Sequence, residues 1–222
     1  MDIEANIKEV HRCIARACER SRRSPDEITL VAVTKGFEVP EIRAAFDSGI
    51  VNFGENRVQD AEGKISQLAD LRPEVTWHMV GHLQSNKAKI AVELFDIIHS
   101  VDSIKLAEIL NRRAQKTLSV LLEVNVSGEA TKGGFSGAGT EAAVKEIKGL
   151  PNLKVLGLMT VAPFVADPEE VRPVFRKLRE LRDSLGLEHL SMGMTDDFEV
   201  AVEEGATMLR IGRAIFGERR QK

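Results

Sequence analysis

The sequence predicts an α/β fold, a single (β/α)8 TIM barrel with an extra N-terminal helix. Short apolar segments alternate about eight times with segments of helical periodicity along the 222 residues. No linker divides the chain, so we expect one domain over residues 1–222. This alternation favours parallel strands joined by right-handed helical crossovers. An open doubly wound sheet is the alternative, although no Gly-x-Gly-x-x-Gly motif follows the first strand.

The element boundaries follow from periodicity and from residues that end helices. The strands are expected at Thr29–Thr34, Val51–Phe53, Thr76–Val80, Ile97–Val101, Ser119–Asn125, Val155–Thr160, His189–Met192 and Met208–Ile211. The helices between them are expected at Pro40–Ser48, Arg57–Ala69, Ser85–Leu94, Ile104–Ala114, Glu141–Lys148, Pro168–Leu185 and Asp197–Glu204. The N-terminal helix is expected over Met1–Arg20, with an apolar stripe formed by Ile3, Ile7, Val10, Ile14 and Ala17. Pro173 lies about one turn inside its helix and is expected to kink the start.

Composition limits the class of protein. A hydrophobic fraction of 43% supports one large core, and a net charge of −3 favours neither nucleic acid nor an anionic membrane as a partner. Cys13 and Cys18 lie five apart on one predicted helix, which disfavours a disulfide and is weak evidence for a metal. With no signal peptide and no long apolar run, we expect a cytoplasmic protein.

Lys35 directly follows the predicted strand Thr29–Thr34, which carries the most information about function. The preceding run is short, apolar and β-branched, which is typical of a strand buried on both faces. Lys35 and then Gly36 stand at its exit, so the amine is placed at the edge of an apolar core. Burial disfavours the ammonium form, and a neutral amine is what a lysine needs to trap a carbonyl group. Lys35 is therefore a candidate for Schiff-base chemistry.

The segment from Met208 to Gly217 supplies complementary groups. Its strand ends in Arg210, and the turn at Gly212 opens a helix whose amides suit a phosphate. In such barrels function lies at the carboxyl ends of the strands, and phosphate commonly binds at loops seven and eight. The first and last strands are neighbours, so Lys35 and Arg210 are expected on one rim. Together these groups suggest pyridoxal phosphate (PLP).

The chemistry of this cofactor assigns a role to each residue. Lys35 is expected to form the internal aldimine, and Arg210 to face the pyridine nitrogen, where a cation makes the ring a weaker electron sink. The phosphate is expected to bind the Thr195 hydroxyl and the backbone amides of Gly212 and Arg213. Taken singly, a surface lysine, a turn glycine or a helix cap would explain these residues. Their joint placement on one rim favours cofactor binding.

Six segments closely resemble the pyridoxal phosphate homeostasis protein family, and the resemblance covers nearly the whole chain. In order they are Val33-Thr34-Lys35, Phe53-Gly54-Glu55-Asn56, residues 77–87, Gly157-Leu158-Met159-Thr160, residues 191–197 and residues 210–217. The most specific parts are the Gly-x-Leu-Gln-Ser-Asn-Lys stretch from Gly81 to Lys87 and the motif Ser191-Met192-Gly193-Met194. Thr195 stands where the family often has serine, which preserves the hydroxyl, and His82 stands where some members have proline.

The resemblance implies a barrel similar to the N-terminal domain of alanine racemase, with the cofactor covalently held on Lys35. It implies a non-catalytic protein of vitamin B6 homeostasis that buffers PLP or delivers it to PLP-dependent apo-enzymes. It also implies that Asn56 lines the pocket, that Met159 packs beside the cofactor, and that Ser191 and His78 lie behind it. We expect a monomer with no bound metal.

Two enzymatic alternatives stay open. A PLP-dependent racemase needs two opposed bases, a lysine and a tyrosine from a second domain, but this sequence contains no tyrosine and leaves no room for that domain. A racemase would exchange the α-proton of an amino acid in deuterated water. A sugar-phosphate enzyme with a Schiff-base lysine would instead cleave a sugar phosphate by a retro-aldol reaction.

The segment Ser127–Gly139 is the longest irregular stretch, rich in Gly, Ser and Thr. We expect it to form a mobile lid over one end of the barrel. Lys132 lies within it, and we hypothesise that its amine accepts the aldehyde transiently during release.

Overall fold

Within the described residues nine strands form the sheet, and eight of them close into a barrel. The computed structural model describes residues 2–129 and 133–218. The strands are β1 (Thr29–Val33), β2 (Asn52–Glu55), β3 (Thr76–Met79), β4 (Ile97–Val101), β5 (Leu118–Asn125), β6 (Phe135–Ser136), β7 (Leu153–Met159), β8 (His189–Ser191) and β9 (Met208–Ile211). In the part of the chain that the structure describes, the two-residue β6 pairs only with the end of β5, outside the barrel order.

All pairings in the barrel are parallel, and the pairing between β4 and β5 closes it. The strand order is β4-β3-β2-β1-β9-β8-β7-β5, and β5 pairs back onto β4. The first and last strands are neighbours, with Val31 opposite Arg210 and Ala32 opposite Ile211. The predicted (β/α)8 barrel is confirmed, and the open sheet is excluded by the β4–β5 pairing.

Helices surround the barrel because each crossover returns the chain to the same end of the next parallel strand. They are α1 (Ile3–Ser21), α2 (Val39–Asp47), α3 (Val58–Gln67), α4 (Ala88–Leu94), α5 (Ile104–Arg113), α6 (Gly137–Lys148), α7 (Arg172–Ser184), α8 (Phe198–Glu203) and α9 (Arg213–Phe216). The extra helix α1 is capped by the Asp2 side chain, which accepts a hydrogen bond from the Ala5 amide at 2.9 Å. All five residues of its predicted apolar stripe are buried, and α1 packs against α2, α8 and α9.

Two helix starts differ from the prediction by four residues, and α4 begins three residues later than predicted, at Ala88, because Ser85–Lys87 is a 3-10 turn. Pro168–Val171 is a 3-10 turn, and α7 begins only at Arg172, so Pro173 occupies its first turn, where a missing N–H costs nothing. Helix α6 begins at Gly137 rather than at Glu141, because the Ser136 hydroxyl caps it at the Gly139 amide. The predicted lid segment therefore contains β6 and the first residues of α6. Lys132 lies outside the described residues.

Alternation along each strand separates two layers of packing. In β1, Leu30 and Ala32 join the main core with the helices, whereas Val31 and Val33 form a separate small cluster with Val80. The barrel is therefore filled by its own inward side chains, as in other barrels of this type. No helix within the described residues is long and apolar enough to span a membrane.

Gly157 marks a close approach between β7 and β8. A Cβ at this position would stand 1.9 Å from the carbonyl oxygen of His189, which belongs to the paired backbone. Gly157→Ala should therefore lower the free energy of unfolding by about 3 kcal/mol, since a backbone cannot move aside as a flexible side chain does. Urea unfolding measures this. The control is Gly63→Ala in α3, where a Cβ meets nothing within 4 Å and should be neutral or stabilising. Equal stability of the two variants would contradict the expectation.

Candidate functional site

Lys35 is positioned by a tight turn at the carboxyl end of β1. The Phe37 amide donates to the Thr34 carbonyl at 3.1 Å, which closes a four-residue turn. Gly36 adopts φ 81°, a left-handed conformation that favours glycine at the third position of a type II turn. The half-buried Lys35 immediately precedes Gly36. The turn that directs the Lys35 side chain across the rim therefore requires a glycine at the next position.

A cavity of about 750 Å³ opens at this rim. Its walls come from the carboxyl ends of β1, β5, β7 and β9 and from the loops that follow β2, β3, β7, β8 and β9. The volume lies within the range of about 300–1,000 Å³ that is usual for small-molecule sites. The predicted site residues that line it are Lys35, Asn56, Met159, Thr195, Arg210, Gly212 and Arg213. Ser191 is the one predicted site residue that does not border it.

Ser191 lies behind Arg210 and holds it. The guanidinium donates from Nη1 to the Ser191 hydroxyl at 2.7 Å and from Nη2 to the Thr160 carbonyl at 2.9 Å. Arg210 is 5% exposed, and burial lowers its pKa to about 10, although the charges of Asp197 and Glu123 act in the opposite direction. Arg210 is thus a buried cation on the strand next to Lys35, as the sequence predicts.

The glycine turns after β8 and β9 place the candidate phosphate groups. Gly193 adopts φ 91°, and a Cβ there would stand 2.6 Å from the Cβ of Ala201. This turn brings the Thr195 hydroxyl to 3.4 Å from the Ala214 amide, at the start of α9. The Arg213 guanidinium pairs with Asp196 and, at 3.5 Å, with Glu218. The backbone of Arg213, rather than its side chain, is therefore the candidate ligand group.

Asn56 owes its position to a glycine in the next loop. A Cβ at Gly81 would stand 2.3 Å from the Asn56 carbonyl oxygen, so only glycine lets the loops after β2 and β3 meet. A second cavity of about 580 Å³ shares Lys35, Asn56, Gly81 and His82 with the first. Gln84 and Lys87 border the second cavity, and Ser85–Lys87 is a 3-10 turn that leads into α4.

Several side chains near the cavity did not emerge from the sequence. Glu123 lines it, and burial raises its pKa, with the nearby Asp102 charge adding to the rise. A lone charged residue in the apolar run Leu121-Leu122-Glu123-Val124 is the signal that would have found it. His82 at the rim has its Nδ1 3.2 Å from an Asp102 oxygen. Among the described residues, no group of three His, Cys, Asp or Glu side chains is arranged to hold a metal ion.

The donor set of the cavity fits PLP. The Lys35 amine suits an aldehyde, the Thr195 hydroxyl and the amides at the Gly212 turn suit a phosphate, and Arg210 suits a ring nitrogen that carries no proton. A Cβ at Gly212 would stand 3.1 Å from the Val33 carbonyl oxygen, so the glycine brings the phosphate turn close against β1. The fold and these residues define a barrel whose cavity suits a phosphorylated aldehyde cofactor.

Comparison with known proteins agrees with this class. The family model for the alanine racemase N-terminal domain matches residues 5–220. A pyridoxal phosphate homeostasis protein of Aquifex aeolicus is 46% identical over 216 residues, which cover 93% of this chain and 94% of that protein. The chain belongs to the pyridoxal phosphate homeostasis protein family.

Two solved structures place the fold. PipY of Synechococcus elongatus, with PLP bound, superposes with a TM-score of 0.81 at 38% identity. The match covers 92% of this chain and 100% of the PipY chain. Alanine racemase from Corynebacterium glutamicum superposes with a TM-score of 0.69 at 16% identity, which shows a common fold. This chain covers 62% of that racemase, so the racemase has a further part that the match does not include.

Proposed function

We propose that this protein binds pyridoxal 5'-phosphate covalently on Lys35 and serves intracellular vitamin B6 homeostasis by buffering the cofactor or delivering it to apo-enzymes. The observation that carries the proposal is Lys35 facing the same cavity as Arg210 and the Gly212 turn. The PLP-bound relative PipY supports it, as do the relatives named for PLP homeostasis. Attachment forms a C=N bond between the cofactor aldehyde carbon and Lys35 Nζ and releases water.

Different residues of the protein would bind different parts of the cofactor. The Gly36 turn orients the Lys35 amine, and the Thr195 hydroxyl with the amides of Gly212 and Arg213 holds the phosphate. Asn56 and Met159 flank the ring. Arg210 lies where it would meet the pyridine nitrogen. PLP supplies an aldehyde and an electron-withdrawing ring. A cation beside the ring nitrogen weakens the electron withdrawal, which favours storage of the cofactor over catalysis.

Lys35→Ala tests the attachment. Wild-type protein mixed with PLP should show a visible absorbance band that Lys35→Ala lacks, since the band requires the covalent bond to the amine. Reduction with borohydride and peptide mass mapping should then place the cofactor on Lys35. Lys87→Ala, a nearby lysine on the second cavity, is the matched control and should keep the band. A wild-type protein without a band, or a mapped label on another lysine, refutes the proposal.

The non-catalytic part of the proposal has a separate test. A racemase with PLP on Lys35 would exchange the α-proton of an amino acid in deuterated water, and a buffering protein would not. The loaded protein should leave alanine unlabelled while it restores activity to a PLP-dependent apo-enzyme. Deuterium at the α-carbon would instead support the racemase alternative, for which the chain offers no tyrosine as a second base.

A further inference from the structure

A chain of polar side chains crosses the interior of the barrel behind Arg210. Ser191 Oγ lies 2.8 Å from His99 Nδ1, and His99 Nε2 lies 2.9 Å from His78 Nδ1. His78 Nε2 then lies 3.0 Å from Asn52 Oδ1. These residues, with Arg210, connect β9, β8, β4, β3 and β2, so the chain runs from the cavity wall across the barrel. We call Arg210, Ser191, His99, His78 and Asn52 the interior chain.

The interior chain takes the place of a carboxylate partner for Arg210. Within the described residues Arg210 forms no ion pair or hydrogen bond with a carboxylate, although its side chain is 5% exposed. His78, His99 and Ser191 are each fully buried. Burial lowers the pKa of His78 to about 3 and lowers the pKa of His99 well below its usual value, with the His78 and Arg210 charges contributing to the latter. Both rings are therefore neutral.

A neutral imidazole has one N–H donor and one acceptor nitrogen. This restricts the interior chain to one of two directions of hydrogen-bond donation. Asn52 Oδ1 can only accept, so His78 carries its proton on Nε2 and accepts at Nδ1. His99 must then donate from Nε2 to His78 and accept at Nδ1. The Ser191 hydroxyl donates to His99 Nδ1, which leaves its oxygen to accept from Arg210. Every donor and acceptor in this order has a partner.

The opposite order does not satisfy all groups. If the Asn52 amide were turned, so that its nitrogen faced His78, His78 and His99 would both donate from Nδ1. Ser191 Oγ would then accept from His99 and from Arg210, and its own proton would have no place in the chain. An unpaired buried hydroxyl is costly, and the reversed dipoles would point toward the Arg210 cation rather than away from it. Both the unpaired hydroxyl and the dipole direction therefore favour the first order, in which each group donates to the next from Arg210 to Asn52.

We propose that Ser191, His99 and His78 are positioning residues that act through Arg210. Their one-way hydrogen-bond chain holds the guanidinium charged and fixed at the cavity wall, and this keeps the ring nitrogen of bound PLP unprotonated. A guanidinium has five N–H donors, and its bonds to Ser191 and Thr160 use two of them, which leaves donors for a ligand. The cofactor part of this inference rests on the proposed function, whereas the order of the protons does not.

The proton order is tested without cofactor. In histidine-labelled protein, nitrogen NMR should show both His78 and His99 as Nε2–H tautomers that do not titrate between about pH 5 and pH 8. His78→Gln and His99→Gln variants assign the signals. An Nδ1–H tautomer or a charged ring at either position would overturn the one-way chain, whatever the protein binds.

The effect on the cofactor is tested with loaded protein. His99→Phe keeps a ring of similar shape but breaks the interior chain, and it should weaken PLP binding about tenfold. With PLP labelled at the ring nitrogen, the ¹⁵N signal should stay at its unprotonated position in the wild type and move toward the protonated position in His99→Phe at pH 6. His99→Gln retains a donor and an acceptor and should restore most of the affinity. His189→Gln, outside the interior chain, is the control.

The outcomes separate the two proposals. Unchanged affinity and an unchanged ¹⁵N signal in a folded His99→Phe or Ser191→Ala protein would overturn the positioning role while the proposed function stood. A wild-type protein that binds no PLP would overturn the proposed function and the cofactor part of this inference. The NMR result would then still decide the proton order.

Discussion

Lowering the pH from 6.5 to about 4.5 should reduce the free energy of unfolding of the cofactor-free protein by about 5 kcal/mol. Burial lowers the pKa of His78 to about 3 and the pKa of His99 well below its usual value. In the unfolded chain both histidines bind protons near pH 6.5. The stability is therefore fully present above pH 6.5 and is lost as the pH falls, by about 1.4 kcal/mol per pH unit for each histidine.

Urea unfolding at a series of pH values measures this slope. His99→Gln removes one of the two fully buried histidines, so the part of the slope that these two supply should fall by about half. Burial also lowers the pKa of His189, whose contribution to the slope remains. Glu123 and Asp197 act in the opposite direction, because their raised pKa values let the folded state bind protons more readily. A wild-type stability that is constant between about pH 6.5 and pH 5 would contradict the expectation.

Lys64→Met should destabilise the protein by about 3–5 kcal/mol at pH 7, because it leaves a buried carboxylate without its cation. Lys64 Nζ lies 2.6 Å from Glu55 Oε1 and 2.8 Å from the Thr34 carbonyl oxygen. Glu55 is fully buried, and its other oxygen, Oε2, has no hydrogen-bond partner among the described residues. The Thr34 hydroxyl also donates to Glu55 Oε1, at 2.6 Å. Since Lys35 follows Thr34, the variant should also loosen the turn that aims the lysine.

A double variant separates the charge effect from the packing effect. Glu55→Gln combined with Lys64→Met removes both charges and keeps an oxygen for the Thr34 hydroxyl, so it should recover much of the lost stability. Urea unfolding at pH 7 compares the three proteins. If the double variant were as unstable as Lys64→Met alone, the unpaired charge would not be the cause. PLP binding by the double variant would show how far the Lys35 turn depends on the pair.

The fold was largely predictable because its signals are local. Each strand is a short apolar segment, and each is followed by helical periodicity, so the eightfold alternation can be counted along the chain. The errors lie at boundaries that hydrogen bonds decide. Ser136 starts α6 early through a cap, and Pro173 falls into the first turn of α7 because a 3-10 turn precedes it. Neither the cap nor the turn changes the apolar pattern on which the prediction depended.

The candidate site was predictable in part for the same reason. Lys35, Arg210 and the Gly212 turn follow strand ends, and the rule that function gathers at the carboxyl end of a barrel places them together. Ser191 was expected behind the cofactor, and the structure places it behind Arg210. Glu123 is a polar residue within a strand, and whether it faces the cavity or a helix depends on which side of that strand points inward.

By itself, the sequence determined the barrel, the single lysine at the end of β1 and the family to which the chain belongs. Only the tertiary structure decided that His78 and His99 meet and link Asn52 to Arg210. The physical reason is that periodicity and glycine turns act between neighbours in the chain, whereas hydrogen-bond partners are set by the closure and register of distant strands. His99 and Ser191 are 92 residues apart in the chain, yet His99 Nδ1 lies 2.8 Å from Ser191 Oγ.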